Sequence, residues 1–320
     1  MAEVMKIATR DSYGKALVAL ADAGHDEVVV FDADLSASTK TCLFQKAYPK
    51  RFFDCGIAES NMMGVAAGMS TFGYVPFVSS FAMFASGRAW EQVRNSIGYP
   101  HLNVKIAATH GGLSVGEDGA SHQCCEDFAL MRSIPGMVVM CPADDVEARA
   151  CVRAAYEHEG PVYIRFSRLA TPVFHDPEKY TLTIGKGETL AEGFDIAVIS
   201  TGLMTSEALK AALQLKKQQG SLSVRVINMP CIKPLDEELV LRAAKECKKI
   251  ITVEEHSVIG GLGDAVCSVL AEKCPVPVRR LGVPDSFGHS GTAREVLKDF
   301  GLTAENIANV IQDFLKTKTE

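Results

Sequence analysis

Residues 51–78, RFFDCGIAESNMMGVAAGMSTFGYVPFV, have the pattern of a strand–helix–strand unit. Apolar runs at 51–53 and 75–78 predict strands. The stretch 60–71 between them has the 3.6-residue period of a helix, with alanine and glycine on its inner face. Parallel strands need a crossover connection of this length, and a helix usually provides it. The unit therefore predicts a doubly wound α/β domain with a mostly parallel sheet.

The same alternation continues to residue 170 and resumes after residue 193. In the first part the predicted strands also include 28–31, 104–108, 137–141 and 162–166, and the helices 15–23, 82–97 and 144–158. In the second part the predicted strands are 196–200, 223–228, 250–253 and 276–281, and the helices 205–218, 236–246, 263–272 and 304–315. Proline, aspartate and glycine between the parts indicate a connection with a short extended segment. We predict a first domain at 1–170, a linker at 171–193 and a smaller α/β domain at 194–320.

Composition favours small-molecule partners over nucleic acid or membrane. The 33 basic and 39 acidic residues give a net charge of -6 without a long run of one sign. The N-terminal residues lack the apolar core of a signal peptide, and no stretch approaches the roughly 20 apolar residues of a membrane span. The ten cysteines show no C-x-x-C pair and no zinc-type spacing. We expect a cytoplasmic protein with reduced thiols.

The segment 54–64, DCGIAESNMMG, places the acid Glu59 between a predicted strand and an apolar helix. A first-turn acid is also favoured by the helix dipole, so the position alone leaves both a structural and a functional role open. The segment resembles the G-I-x-E-x-x-M-x-G signature of the thiamine diphosphate-dependent transketolase family. The resemblance implies a pyrimidine-binding domain in which Glu59, kept protonated by burial, hydrogen-bonds the pyrimidine ring of thiamine diphosphate.

Phe81 and Phe84 lie three residues apart at a predicted strand-to-helix turn, a pattern that by itself favours core packing. By the resemblance to transketolases they are candidates for the walls of the pyrimidine site. The family often has a further aromatic residue where this chain has Gly87, so that face of the site is expected to be more open. Three more positions match the family near the thiazolium ring of the cofactor: Asp34, Leu35 and Ile57. Asp34 fits equally well as a residue that caps its own turn.

The loop 109–123, THGGLSVGEDGASHQ, combines four glycines with two histidines and two acids. Glycines allow close approach of the backbone to a ligand, whereas histidine and aspartate supply proton transfer and hydroxyl recognition; a mobile surface loop is the alternative. The loop resembles transketolases in its T-H, G-E-D-G and S-H-Q elements. The resemblance implies that His110 and His122 act on the carbonyl and hydroxyl oxygens of the substrate, and that Asp118 binds the C2 hydroxyl of the acceptor aldose.

A phosphate site is implied by the same resemblance. Arg10, Ser38 and Arg168 match family positions, and two guanidinium groups beside His110 and a hydroxyl would suit a sugar phosphate dianion. In the second domain, the run 253–257 gathers two acids and a histidine after a predicted strand. The resemblance assigns that domain to dimer packing rather than chemistry.

One family motif is not found in this sequence. Transketolases bind magnesium and diphosphate through a G-D-G motif followed by an asparagine, and the chain has no such pairing. The resemblance therefore implies a partner, an N-terminal subunit that supplies Mg²⁺ or Ca²⁺ and the diphosphate site, in an α2β2 heterotetramer. The expected reaction is transfer of a two-carbon ketol unit between ketose and aldose phosphates. The alternatives are a deoxyxylulose phosphate synthase-like subunit, a 2-oxo acid dehydrogenase β-like subunit and a non-catalytic regulatory paralogue.

Overall fold

The computed structural model of the chain describes residues 5–218 and 222–317, so the predicted domain limits at residues 1 and 320 lie outside the described residues. The strands are β1 (Lys6–Ala8), β2 (Val28–Asp32), β3 (Phe52–Asp54), β4 (Val75–Ser79), β5 (Lys105–Thr109), β6 (Val138–Met140), β7 (Val162–Phe166), β8 (Ala170–Pro172), β9 (Glu188–Ala191), β10 (Ile196–Ser200), β11 (Val224–Asn228), β12 (Cys231–Lys233), β13 (Ile250–Ser257) and β14 (Val278–Val283). The α-helices are α1 (Thr9–Asp22), α2 (Ser36–Thr39), α3 (Cys42–Ala47), α4 (Glu59–Ser70), α5 (Trp90–Gln92), α6 (Asp127–Arg132), α7 (Asp145–Glu157), α8 (Leu203–Gln218), α9 (Glu237–Cys247), α10 (Leu262–Lys273), α11 (Ala293–Asp299) and α12 (Ala304–Lys316).

The first sheet has seven strands in the order β12-β6-β7-β5-β4-β2-β3. Its neighbouring strands are parallel, apart from the edge strand β12, which is antiparallel to β6. A central strand such as β2, with the sequence VVVFD, is buried along its whole length because helices cover both faces. One covering layer contains α4 and α6, with Met62 and Phe128 in its core, and the other contains α1 and α7, with Leu17 and Ala148. The predicted doubly wound fold is confirmed.

The second sheet has five strands in the order β14-β13-β10-β11-β9. Strands β14, β13, β10 and β11 are parallel, and β9 is antiparallel at one edge. Helices α8 and α12 pack on one face and helices α9 and α10 on the other, which gives the second unit its own two-sided core. The predicted smaller α/β unit is therefore present.

Short strands connect the two units, and two of these strands lie within or overlap the predicted linker. β8, at the start of the predicted linker 171–193, pairs with β1, and β9, near its end, joins the second sheet. β12 follows β11 in the chain but pairs with β6 in the first sheet. These strands, with the sequences KIA, ATP, ETLA and CIK, are short and contain no run of large apolar residues, so their pattern is too weak to be recognised in the sequence. The equally short β6, VVM, is such a run and was predicted.

Three predicted elements differ from the structure by more than two residues at one end, or in the type of helix. The helix predicted at 15–23 begins at Thr9, so Arg10 lies in its first turn. The helix predicted at 82–97 consists of two π-helical stretches, Met83–Arg88 and Val93–Gly98, on either side of α5. The strand predicted at 250–253 continues to Ser257, so Glu254, Glu255 and His256 are residues of β13 and do not follow it.

Among residues 5–218 and 222–317, no helix combines the length and the apolar composition needed to cross a membrane.

Candidate active site

The candidate residues gather at one edge of the first sheet. They follow the carboxyl ends of β2, β3, β4, β5 and β7, which are adjacent in the sheet, and Arg10 joins them from the first turn of α1. In open α/β sheets this edge is the usual place for a ligand. The parallel topology therefore brings together side chains that are up to 158 residues apart in sequence, as between Thr9 and Ser167.

Glu59 is the first residue of α4 and is only 1% exposed. One carboxylate oxygen accepts a hydrogen bond from Ser80 Oγ at 3.2 Å, and the other accepts one from Arg88 Nη1 at 2.9 Å. The guanidinium also lies 4.7 Å from the centre of the Phe84 ring, while its side chain remains 52% exposed. In the structure the Glu59 carboxylate has a cationic partner, Arg88, that no motif indicated.

The backbone explains why Arg88 meets Phe84. The Ala89 N–H donates to the Phe84 carbonyl five residues back at 3.2 Å, which is the bonding of a π-helix. Such single wide turns are rare and are frequent at functional sites. The position without an aromatic residue, Gly87, lies in the same turn, where an added Cβ would meet the flexible end of Met83. The turn carries both Phe84 and the cation that covers it.

An aromatic stack links the Glu59 region to the glycine-rich loop. The ring of Phe81 stacks on His110 with a centroid distance of 3.9 Å and lies 6.2 Å from Phe84. His122 presents its edge to Phe84 at 5.3 Å, and its Nδ1 is 2.9 Å from Ser121 Oγ. Phe81 is buried and Phe84 is half-buried. The two phenylalanines thus contact both histidines instead of packing only into the core.

His110 is held in an uncharged form. Burial, together with the nearby charges of Arg10 and Arg168, lowers its pKa to about 3. Its Nδ1 lies 2.7 Å from Thr109 Oγ1, and its Nε2 lies 3.0 Å from Arg10 Nη1. The same Nη1 donates to the Ser38 carbonyl at 3.1 Å, while Arg10 Nε is buried and has no hydrogen-bond partner among the described residues. This cluster presents cationic donors beside a neutral imidazole, which suits an anionic oxygen ligand.

Arg168 and Asp118 face each other across the loop. Arg168 Nη1 donates to the Val115 carbonyl at 2.6 Å and lies 3.4 Å from Glu117 and 3.6 Å from Asp118. Both acids are exposed, and Arg168 is about a third exposed. These ion pairs are accessible to solvent, so a bound anion could compete with them at small cost.

Two candidate residues have left-handed backbone conformations, which are uncommon outside glycine: Asp34 with φ 62° and His110 with φ 59°. Such strain persists only where the surroundings fix it, and it concentrates at functional sites. For Asp34 the fixing group is Asp54, an acid that no sequence motif indicated. Asp54 Oδ1 accepts from the Asp34 N–H at 3.1 Å and from the Gly56 N–H at 2.9 Å.

A second acid that no sequence motif indicated is Asp32, the last residue of β2. It accepts hydrogen bonds from the Leu35 N–H at 2.6 Å and from the hydroxyls of Thr39 and Thr41 at 2.7 and 2.8 Å. Burial outweighs these bonds and raises its pKa to about 6. The carboxylate ties the loop after β2 to its own strand end, and so places Leu35 and Ser38. A polar residue ending an apolar strand was the available signal.

Ile57 lies in the loop between β3 and α4 and is 76% exposed. This exposure leaves Ile57 free to contact a ligand or a partner surface. Leu35, after β2, is half-buried. All ten cysteines are unpaired, and burial raises the pKa of Cys124, the one nearest the histidines in sequence, to about 12. A thiol with that pKa is a poor nucleophile at neutral pH.

Two family models cover most of the chain. The transketolase pyrimidine-binding domain matches residues 5–173, and the transketolase C-terminal domain matches residues 185–307.

Three relatives match almost end to end. A protein of Methanocaldococcus jannaschii named as a transketolase C-terminal section is 48% identical over 309 residues, which is 96% of each chain. The 6-deoxy-6-sulfo-D-fructose transketolase subunit of a Clostridium species is 42% identical over 97% of this chain and 95% of its own length. A solved structure described as a split gene transketolase, inactive beta4 tetramer, is 50% identical and superposes with a TM-score of 0.90, covering 98% of this chain and 100% of that one.

Proposed function

This chain belongs to the transketolase family, and we propose that it is the C-terminal subunit of a split transketolase that transfers a two-carbon ketol unit between ketose and aldose phosphates. The observation that carries the proposal is one unbroken set of contacts at the sheet edge. It runs from the buried acid Glu59 through the guanidinium of Arg88 to the rings of Phe84 and Phe81, and from there to His110 and Arg10. An acid, two aromatic faces and a cationic clamp are the groups that this reaction requires.

Transketolases depend on thiamine diphosphate, and the residues present fit its pyrimidine end. Glu59 offers a buried carboxyl group, Phe81 and Phe84 offer aromatic faces, and Leu35 and Ile57 offer apolar contacts nearby in the chain. When bound, the cofactor supplies a carbanion that carries the two-carbon unit. The contribution of Glu59 would be a hydrogen bond to the pyrimidine ring, and the ring would compete with Arg88 for that carboxyl group.

The sugar-handling residues then divide into two groups. Arg10, Arg168 and the loop around Ser38 bind the phosphate. Arg10 Nε, which has no partner within residues 5–218 and 222–317, is a further donor for it. His110, uncharged at neutral pH, binds a substrate oxygen by a hydrogen bond and does not act as a cationic acid. His122 is half-buried and exchanges protons with the substrate oxygens. Asp118 accepts a hydrogen bond from the acceptor's C2 hydroxyl.

We propose that an N-terminal subunit completes the site. That subunit would bind the diphosphate and the Mg²⁺ or Ca²⁺ ion, in a cytoplasmic α2β2 heterotetramer. Two features support this assembly: the chain matches the Clostridium transketolase subunit over 95% of that subunit's length, and the split-gene relative is described as an inactive tetramer of β chains.

The test is co-expression with a candidate N-terminal subunit, followed by a ketol-transfer assay with thiamine diphosphate and Mg²⁺. We expect activity from the two subunits together and none from either alone; activity of this chain by itself would refute the split-enzyme proposal. Glu59→Gln should abolish turnover while the assembly forms normally. Glu157→Gln, at an exposed acid on α7, is the matched control and should leave the rate unchanged. Use of pyruvate as donor, in place of a ketose phosphate, would favour the deoxyxylulose phosphate synthase-like alternative.

A further inference from the structure

The second unit fastens the loop that carries the candidate sugar-binding groups. The Gln123 side-chain amide donates to the carbonyls of Leu113 at 3.4 Å and Gly116 at 3.1 Å in the loop. The same nitrogen donates to the His289 carbonyl, in the segment before α11 of the second unit, at 2.9 Å. The side chain of the last loop residue thus connects the middle of the loop to a residue 166 positions away.

The burial of Gln123 shows that its donors matter. The side chain is 4% exposed, and its Oε1 is buried without a partner in the described part of the chain. A buried, unpaired amide oxygen costs about 1–3 kcal/mol, so an apolar residue of the same size would fill the space more favourably. The amide is therefore explained by the three carbonyl oxygens it binds and not by packing.

Two further contacts join the loop to the second unit. The Ser114 N–H donates to a carboxylate oxygen of Glu255, the buried acid in β13. The side chain of Leu113 belongs to the second unit's hydrophobic core, where it packs with residues such as Val296 and Leu297. The loop is thus anchored in the second unit by an apolar side chain as well as by hydrogen bonds.

The glycines of the loop pack closely against the segment that leads into α11. Gly116 and Gly119 have φ values of 78° and 73°, and a Cβ added at them would lie 3.0 Å from Ala293 N and 2.5 Å from Ser290 Oγ. Asp118 lies between these two glycines. The backbone on both sides of Asp118 therefore packs against Ser290 and Ala293, at and just before the start of α11.

We propose that Gln123 is a positioning residue, which transmits the placement of the second unit to Asp118 and so sets the discrimination between acceptors with and without a C2 hydroxyl. The inference rests on the proposed function. It gives the second unit a part in substrate selection, beyond the packing role that the sequence indicated. Displacements of a binding group by about 1 Å can cost up to a hundredfold in rate, so a loosened loop is expected to lose selectivity first.

The test compares Gln123→Met with the wild-type chain, each assembled with the N-terminal subunit. Methionine keeps the volume and removes all three donated bonds. The acceptors are D-ribose 5-phosphate and 2-deoxy-D-ribose 5-phosphate, which differ only in the C2 hydroxyl. We expect the ratio of their kcat/KM values to fall about tenfold, which corresponds to the loss of about one net hydrogen bond. Gln214→Met, on α8, is the matched control and should keep the wild-type ratio.

A second variant and a second readout cover poor folding of Gln123→Met. Ser290 is exposed, so Ser290→Leu should fold, and its added bulk against Gly119 should lower the same ratio. In the Gln123→Met chain alone, backbone amides at 113–119 should exchange with solvent faster than in the wild type. A ratio that stays at the wild-type value in folded Gln123→Met or Ser290→Leu overturns the inference, even if both KM values rise together. Failure of the wild-type assembly to use either sugar would instead refute the proposed function.

Discussion

Removing the cation from the Arg88–Glu59 pair should destabilise the chain markedly although Arg88 itself is half exposed. In Arg88→Met the nearly fully buried Glu59 carboxylate keeps only the hydrogen bond from Ser80. Methionine retains the contact with the Phe84 ring, so the substitution mainly removes the charge and the hydrogen-bond donors.

The size of the effect follows from the unequal burial of the two partners. Breaking a fully buried pair costs about 3–5 kcal/mol, whereas an exposed pair contributes about 0.2–1 kcal/mol. Here Glu59 is 1% exposed and the Arg88 side chain 52%, so we expect Arg88→Met to cost about 2 kcal/mol. Glu59→Gln should cost less, about 1 kcal/mol, because the arginine left behind can be hydrated.

The assay is urea unfolding of the single variants and the double variant, analysed as a double-mutant cycle. The coupling energy should be about 1 kcal/mol. The double variant should then cost about 2 kcal/mol, no more than Arg88→Met alone, because it has no charge left buried at this place. A cost below about 0.5 kcal/mol for Arg88→Met would refute the reasoning, because it would mean that Glu59 does not depend on its cation. In the assembled enzyme, Arg88→Met should also bind thiamine diphosphate about fivefold more tightly, since a competing partner worth about 1 kcal/mol has been removed.

Three other outcomes follow from the structure. The pKa of His110 is lowered from 6.5 to about 3, so the unfolded chain binds a proton at this residue more readily than the folded chain. The stability that results is complete above pH 6.5 and falls as the pH drops towards 3. His110→Gln should make the free energy of unfolding less dependent on pH over this range. Burial opposes a charge on His175, but hydrogen bonds to Asp144 and Glu188 outweigh it and raise the pKa to about 10. The stability that the charged His175 contributes is complete below pH 6.5 and is lost as the pH rises towards 10. His175→Gln should abolish this loss. Gly112→Ala should cost more than about 2 kcal/mol in urea unfolding, because its Cβ would lie 2.6 Å from a carboxylate oxygen of Glu255; Gly24→Ala, with a similar positive φ but open space, should cost about 1 kcal/mol, and equal costs would contradict the steric argument.

Most of the fold was predictable because its elements are long and periodic. The buried parallel strands β2, β4, β5 and β7 and the helices α4, α7 and α8 were found in the sequence, since runs of branched apolar residues and 3.6-residue periods are local properties. The short strands β1, β8, β9 and β12 were missed, because they contain no run of large apolar residues such as the one that revealed the equally short β6. The π-helical turns were missed as well. Whether a turn closes after four or five residues depends on what packs against it.

The candidate site divides in the same way. Glu59, His110, His122 and Asp118 lie in compact motifs, and the structure places them at one sheet edge with Phe81 and Phe84. Arg88 belongs to no motif, and its partner lies 29 residues away. Asp32 and Asp54 end their strands and act on the backbone of a neighbouring loop, a role that is decided by which strands are adjacent.

The sequence alone determined the fold class, the family and the chemical character of the site, because strand and helix periods and short motifs are written within a few tens of residues. The tertiary structure alone decided which partners those groups have. Three such contacts join residues 29 to 166 positions apart: Arg88 with Glu59, Ser114 with Glu255, and Gln123 with His289. Hydrogen bonds and ion pairs act over a few ångströms, so only the packing of two sheets and their helices can bring such groups within reach.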